Sequence, residues 1–376
     1  MANEQVDVAV VGAGIVGLAH AYTAAKAGRK VAVFERNPVA TGASIRNFGM
    51  IWPIGQAAGE LHQLSLRSRE IWLDFLEKAR LPYRNTGSLH VTYRVDEAAV
   101  AQEFADKSKD LGYSAAWLSP LQTLDKTHAV REQGLLGALW SSTELTVDPR
   151  QIVRMLPAFL AEKYGVRFFF NTAVHGIERR RVQTGGKQWQ AETVIVAAGD
   201  DFQTLYPEAF RQTGLTRSKL QMLRTAPQPD GWELGPSLAF GLSFKHYPTF
   251  QVCESLGALK RRIATEMPEF ERYGIHVMAS QTVLGEITLG DSHEYGLAVN
   301  IFDNWAIDEL ILHYAQQYIR LPEFAIAERW HGVYAKHPDL PYLCLTPEPG
   351  VKVITVTSGI GMTLSFGIAE KTFCNC

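Results

Sequence analysis

Three glycines and one carboxylate near the N-terminus have the types and spacing that bind a dinucleotide. Gly12, Gly14 and Gly17 follow the apolar run Val6 to Val11, and Glu35 closes the run Lys30 to Phe34. A buried strand, a glycine turn, a helix and a second strand ending on an acid together make a mononucleotide-binding unit. Gly12 permits the tight turn, Gly14 lets a pyrophosphate approach the backbone at the helix N-terminus, and Gly17 lets the helix lie against the strand. Glu35 is placed to accept hydrogen bonds from a ribose hydroxyl, which disfavours a 2′-phosphorylated cofactor. With 31 glycines in the chain the spacing alone means little. The ordered strand, turn, helix and acid carry the reading, and they leave NAD and FAD both open.

The elements that must position these residues are legible in outline. A chain of 376 residues, 46% hydrophobic and 20% charged with a net charge of −2, has room for two globular domains and argues against a nucleic-acid partner. No apolar run suggests a membrane span and no signal-peptide core precedes the first strand, so the expectation is a cytoplasmic protein with no membrane contact. Cys253, Cys344, Cys374 and Cys376 lack zinc spacing and are too few for a disulfide framework. No metal is expected.

A long amphipathic helix is predicted over residues 56–80, with the stripe Leu61, Leu64, Ile71, Trp72, Phe75 and Leu76. Asp148-Pro149-Arg150 opens a second helix that runs to Tyr164 and is perturbed at Pro157. Residues 166–170, 192–199 and 351–357 read as further strands of the nucleotide domain. Between them the pattern changes to antiparallel strands at 88–94, 219–225, 241–250, 275–281 and 286–290, with helices at 95–111 and 254–273. The second domain is therefore inserted in two pieces. The last strand runs into Ser358-Gly359-Ile360-Gly361-Met362-Thr363, a second glycine turn opening a helix.

The N-terminal motif with Glu35, the Thr41-Gly42-Ala43-Ser44 loop, the Ala197-Ala198-Gly199 turn and the closing Gly359 to Thr363 turn together resemble the D-amino acid oxidase superfamily, to which glycine oxidase and sarcosine oxidase belong. The resemblance implies an α/β fold, a Rossmann-like FAD-binding domain (1–84, 146–217, 325–376) carrying an inserted antiparallel-sheet α+β substrate domain (85–145, 218–324). It assigns FAD to Gly12, Gly14, Ile15, Val16, Gly17, Glu35, Arg36, Ala43, Ser44, Asn47, Phe48, Gly49, Met50, Val174, Ala198, Gly199, Gly332, Gly359, Ile360, Gly361, Met362 and Thr363. Within the superfamily, the segments 46–53, 219–227 and 290–296 are similar to flavoproteins associated with aminophosphonate breakdown.

Departures from the relatives bear on the substrate. Tyr334 stands where glycine oxidase-like chains carry an arginine, and Thr363 where sarcosine oxidase-like chains carry a lysine, so the clamp for an amino acid carboxylate is missing. Gly332 replaces the flavin-linking cysteine, which implies non-covalent FAD, and Thr288 falls where a lysine assists oxygen. The site residues expected are Tyr334 to orient the substrate and Arg46, His276 and Lys336 to hold an anionic phosphonate. His293 and Glu294 could form an acid-base pair or cap a turn. Phe48 and Trp52 could pack on the flavin or wall an N-alkyl group. Lys219 and Arg224 lie on opposite faces of one strand, so at most one faces the flavin.

The reaction expected is oxidation of a small anionic amine to an imine that hydrolyses to aldehyde and amine, with molecular oxygen reduced to hydrogen peroxide. An N-alkylated 2-aminoethylphosphonate giving phosphonoacetaldehyde is the leading substrate. A glycine or sarcosine type oxidase, an amine dehydrogenase using another acceptor, and a non-catalytic flavin-bearing subunit are the alternatives.

Overall fold

The first strand, Glu4–Val11, is apolar on both sides because it lies inside a sheet covered on both faces. In the computed structural model, which describes residues 4–374, it pairs in parallel with Val31–Phe34 on one side and Gln188–Val196 on the other. The latter is joined in parallel by Val351–Val356, so the end of the chain returns to the sheet that the N-terminus began. The sheet has eight strands, six of them in the order Tyr342–Glu348, Val351–Val356, Gln188–Val196, Glu4–Val11, Val31–Phe34 and Arg167–Phe169. Val31 and Val33 point to one core and Ala32 and Phe34 to the other, the alternation a strand imposes.

The helices Ile15–Lys26, Glu60–Ala79, Pro149–Tyr164 and Gly361–Cys374 cover one face. Asp148 caps the third, its carboxylate accepting from Arg150 N at 3.0 Å, and Pro157 sits buried inside it without ending it. The predicted stripe is the buried side of the second: Trp72, Phe75 and Leu76 are sealed and pack with Phe366.

The second sheet has nine strands around Thr216–Thr225, which pairs with Ile326–Lys336 along almost its whole length. This moves part of the expected division, because Ile326–Lys336 belongs by pairing to the antiparallel sheet, while Ala335 at its end enters the core beneath the parallel sheet. The stretch 241–250, expected as a strand, is a helix, Gly241–His246, followed by a 3-10 turn, Pro248–Val252. The strand lies just upstream, at Ser237–Phe240, and pairs in parallel with Ser88–Thr92. The helix expected over 254–273 is two, Leu256–Glu266 and Pro268–Arg272, because a proline cannot continue the backbone ladder. The helix Trp305–Tyr318 was not expected at all. Cys376 lies outside the described residues.

Trp72 donates from Nε1 to Met362 O at 2.8 Å and so ties the second helix to the closing glycine turn. Trp72→Phe should remove that tie and cost about 0.5 to 1.5 kcal/mol of folding stability, the net worth of one hydrogen bond. Denaturant titration of the flavin-loaded protein checks this; an unchanged midpoint and slope would show that the bond does not anchor the turn.

Candidate active site and cofactor cleft

Two glycine turns, side by side at the same end of the parallel sheet, border a single continuous cleft of about 2050 Å3, counted with the solvent at its mouth. At the first turn Gly12 adopts φ +101°, and a Cβ there would lie 2.4 Å from Ala197 O. A Cβ on Gly17 would lie 1.9 Å from Gly12 O, so the helix reaches the turn only because both residues lack side chains. Glu35 ends the second strand with its carboxylate accepting from Ala13 N at 3.0 Å and from Asn37 N at 3.1 Å. Ser44 Oγ accepts from Ile15 N at 2.9 Å, and Asn47 shapes the same loop by donating to Ala43 O and accepting from Gly49 N.

At the second turn Gly359 adopts φ +70° with Tyr334 packed where its Cβ would be, and Gly361 opens the last helix. Thr363 Oγ1 accepts from Trp52 N at 2.9 Å, so this hydroxyl fastens the cleft wall. These turns and helix N-termini are open to the cleft and would hold a pyrophosphate and an electron-rich ring edge. The residues present therefore fit FAD.

Of the residues expected at the cofactor, all line the cleft except Gly17 and Gly49. Gly17 acts behind the turn, and Gly49 is required because a Cβ would meet Val147 O at 1.9 Å. A side chain at Gly332 would press on Arg46 O at 3.1 Å and Leu220 Cδ1 at 3.3 Å. Of the residues expected at the substrate, Tyr334, His276 and Arg46 line the cleft and Lys336 does not. Two residues beyond Tyr334 the strand has passed the end of the cleft, and Lys336 Nζ donates instead to Ser358 Oγ at 3.1 Å. Burial pulls its pKa down, and its charge still acts on His246 and His293. Arg46 donates to His331 O at 3.3 Å. Neither Lys219 nor Arg224 lines the cleft: the first is sealed against Asp303 at 2.9 Å and the second lies over Trp330 beside Glu328.

The wall near Tyr334 holds more imidazole than expected. His246, His276 and His293 all line it, with Asp291, Tyr247, Met278 and Trp52. His276 Nε2 is 3.0 Å from the Asp291 carboxylate and Nδ1 is 3.2 Å from Ser243 Oγ, and His293 Nδ1 is 2.9 Å from Gly274 O. His293 is thus held by a backbone carbonyl rather than paired with Glu294. His246 lies deep in the protein yet is accessible, because the surface it shows faces the cleft. Burial, then the neighbouring imidazoles and Lys336, hold it well below the usual histidine range. Burial likewise lowers His293 and raises the Tyr334 hydroxyl, while His293 and His276 overcome burial to keep Asp291 below the usual carboxylate range. His246 lies in the stretch 241–250 expected as a strand, and Asp291 lies in the segment 290–296 that carries the resemblance but was given no role of its own.

Residues 7–373 match the family of FAD dependent oxidoreductases known as DAO. The chain belongs to that family. The glycine oxidase of Geobacillus kaustophilus is 25% identical over 205 residues, covering 51% of this chain and 54% of that protein. A D-amino acid dehydrogenase of Helicobacter pylori is 26% identical over 251 residues, covering 51% and 60%. The chain therefore spans little more than half the length of these curated relatives. Among solved structures, glycine oxidase from Geobacillus kaustophilus superposes with a TM-score of 0.76 at 19% identity, covering 99% of this chain and 94% of that one. L-proline dehydrogenase from P. horikoshii gives 0.77 at 20% identity, covering 98% and 92%. These likenesses show the fold, a parallel sheet joined to an antiparallel one.

Glu35 both faces the nucleotide end of the cleft and braces the Gly12 turn. Glu35→Ala should weaken FAD binding by about 1.5 to 3 kcal/mol, the size of a hydrogen bond to a charged group, while turnover at saturating FAD stays near normal. Flavin titration of the apoprotein decides it, and an unchanged dissociation constant would remove Glu35 from the cofactor site.

Proposed function

We propose that this flavoprotein oxidises a small anionic amine, an N-alkylated 2-aminoethylphosphonate, with water then releasing phosphonoacetaldehyde and the amine. The observation that carries the reading is the wall around Tyr334: three imidazoles line it, Arg46 lines the same cleft, and the residues at 334 and 363 are uncharged. An amino acid carboxylate is best held by a bidentate guanidinium, whereas a phosphonate offers three oxygens to several separate donors. The similarity of the segments 46–53, 219–227 and 290–296 to the aminophosphonate-associated branch supports the same substrate. FAD, when bound, supplies the two-electron acceptor, and the absence of a cysteine at Gly332 supports its being held without a covalent link.

The chain's own work is binding and orientation. Tyr334, buried against Gly359, keeps its proton and offers a hydroxyl to orient the substrate. Phe48 and Trp52 exclude water from the apolar side of the cleft. The helix opening at Gly361 turns its positive end toward the cleft and would stabilise negative charge gained there. We take oxygen as the electron acceptor, giving hydrogen peroxide. A dehydrogenase reading is favoured by one observation, the dehydrogenases among the relatives, and dye reduction without peroxide would establish it.

N-methyl-2-aminoethylphosphonate should be turned over with a kcat/KM at least about tenfold above sarcosine or glycine, a ratio that one charge-assisted contact of roughly 1.5 to 3 kcal/mol supplies. Arg46→Met should reduce the preference mainly by lowering activity on the phosphonate. Steady-state kinetics with peroxide and dye readouts check both; equal or better efficiency on sarcosine or glycine would return the protein to the amino acid oxidases.

A further inference from the structure

The three imidazoles are arranged in a way that selects what they can bind. His246 stacks on His276 with ring centroids 3.8 Å apart and planes 21° from parallel, and His276 and His293 lie 5.5 Å apart at 19°. One nitrogen from each lies within 4.8 Å of the others. A transition metal sits in the plane of every ring that ligates it, on the nitrogen lone pair. His246 and His293 lie 4.7 Å apart with planes 38° apart, and His276 is already turned to Asp291 and Ser243, so a single ion could gather all three rings only by displacing those contacts. A tetrahedral oxyanion has oxygens pointing in different directions and can meet the ring edges one by one.

The hydrogen bonds also fix the protons. Gly274 O can only accept, so His293 Nδ1 carries the hydrogen, and in the neutral ring Nε2 is left with a lone pair. His276 is turned to Asp291, 3.0 Å from its Nε2, and to Ser243, 3.2 Å from its Nδ1. His246 is held neutral by burial and by its neighbours. A fully ionised anion approaching this wall meets a lone pair on His293 and the Asp291 carboxylate, and neither attracts it. An anion that brings a proton can donate an O–H to the lone pair. Carboxylates give up their proton near pH 4, and sulfonates are ionised throughout the working range. A phosphonate, like a phosphate monoester with its second pKa of about 6, still has a proton to share near neutrality.

Resting on the aminophosphonate reading above, we propose that His246 and His293 recognise the phosphonate head by sharing one proton with it. The species bound is the dianion plus one proton, and the wall rejects anions of similar size that cannot bring one. The other ionisable groups facing this wall are Lys336 and Tyr334 from the strand Ile326–Lys336, Asp291 and Tyr295 from the segment after Gly290, and Tyr247 at the end of the helix Gly241–His246. Burial raises the three tyrosines, which stay neutral between about pH 6 and 9, and Asp291 stays ionised. His246 and His293, held below the usual histidine range, stay neutral over it, so the group that changes is the phosphonate. Binding should therefore weaken as pH rises, by about tenfold per unit above the second ionisation of the free phosphonate.

The test uses the flavin-loaded protein with methylphosphonate and methanesulfonate as probes, followed by isothermal titration calorimetry in buffers of different ionisation enthalpy and by perturbation of the flavin spectrum. Methylphosphonate should bind with uptake of about one proton at pH 8, and methanesulfonate at least about tenfold more weakly at pH 7. His293→Asn, which keeps a donor for Gly274 O, and His246→Asn should each weaken methylphosphonate about tenfold or more and abolish the proton uptake. Equal binding of both probes, or phosphonate binding without proton uptake, overturns proton sharing and leaves the aminophosphonate reading standing. Stoichiometric Zn2+ bound in the wild type and lost in both variants overturns it in favour of a metal. Strong binding of acetate with no response to methylphosphonate sinks the aminophosphonate reading itself. The wild-type proton count needs no variant, so misfolding of either substitution cannot shield the proposal.

Discussion

The return of the chain's last strand to the first sheet is the constraint on which the site depends. Val351–Val356 pairs beside Gln188–Val196, which pairs beside Glu4–Val11, and because all three run parallel the turn Gly359 to Thr363 reaches the same end of the sheet as the turn that starts at Gly12. Two helix N-termini then border one cleft, the first after a turn too crowded for a Cβ at Gly12 and the second after a turn that holds Gly359 at φ +70°. The arrangement concentrates unpaired N–H groups and positive helix ends where a cofactor with a pyrophosphate and an electron-accepting ring would lie. Trp72 and Thr363 fasten it, one by donating to Met362 O and the other by accepting from Trp52 N.

The antiparallel sheet supplies a different kind of precision. Its longest pairing, Thr216–Thr225 with Ile326–Lys336, carries Gly332 and Tyr334 to the cleft and leaves Lys336 just past its end. A displacement of two residues along a strand separates a side chain that touches the ligand from one that acts only through its field. The same wall gathers imidazoles from a helix end, from the segment leading into a strand and from the segment after another. Packing in low dielectric holds His246 and His293 below the usual histidine range, since a charge on either would be opposed by burial and by its neighbours.

How much of this could be read beforehand follows from the range of each interaction. The glycine turn, Glu35 and the closing turn are local patterns a few residues long, and each was legible with its partners in order. The stripe on Glu60–Ala79 was legible for the same reason, because 3.6-residue periodicity needs no distant partner. The segment 241–250 was not: Leu242, Phe244 and Phe250 satisfy strand alternation as well as a short helix, and only the parallel pairing of Ser237–Phe240 with Ser88–Thr92 decides between them. The imidazole wall was illegible because His246, His276 and His293 come from separate elements whose proximity is a product of the sheet. His276 and His293 were each singled out, but for separate roles, and without His246 nothing in the sequence joined them into one wall.

Anaerobic mixing of the oxidised flavoprotein with its substrate tests the central claim most directly, since it asks which amine reduces the cofactor without reference to the electron acceptor. Stopped-flow loss of the oxidised-flavin absorbance should be complete and faster with N-methyl-2-aminoethylphosphonate than with sarcosine or glycine at equal concentration. Bleaching by the amino acids with none by the phosphonate would contradict the account.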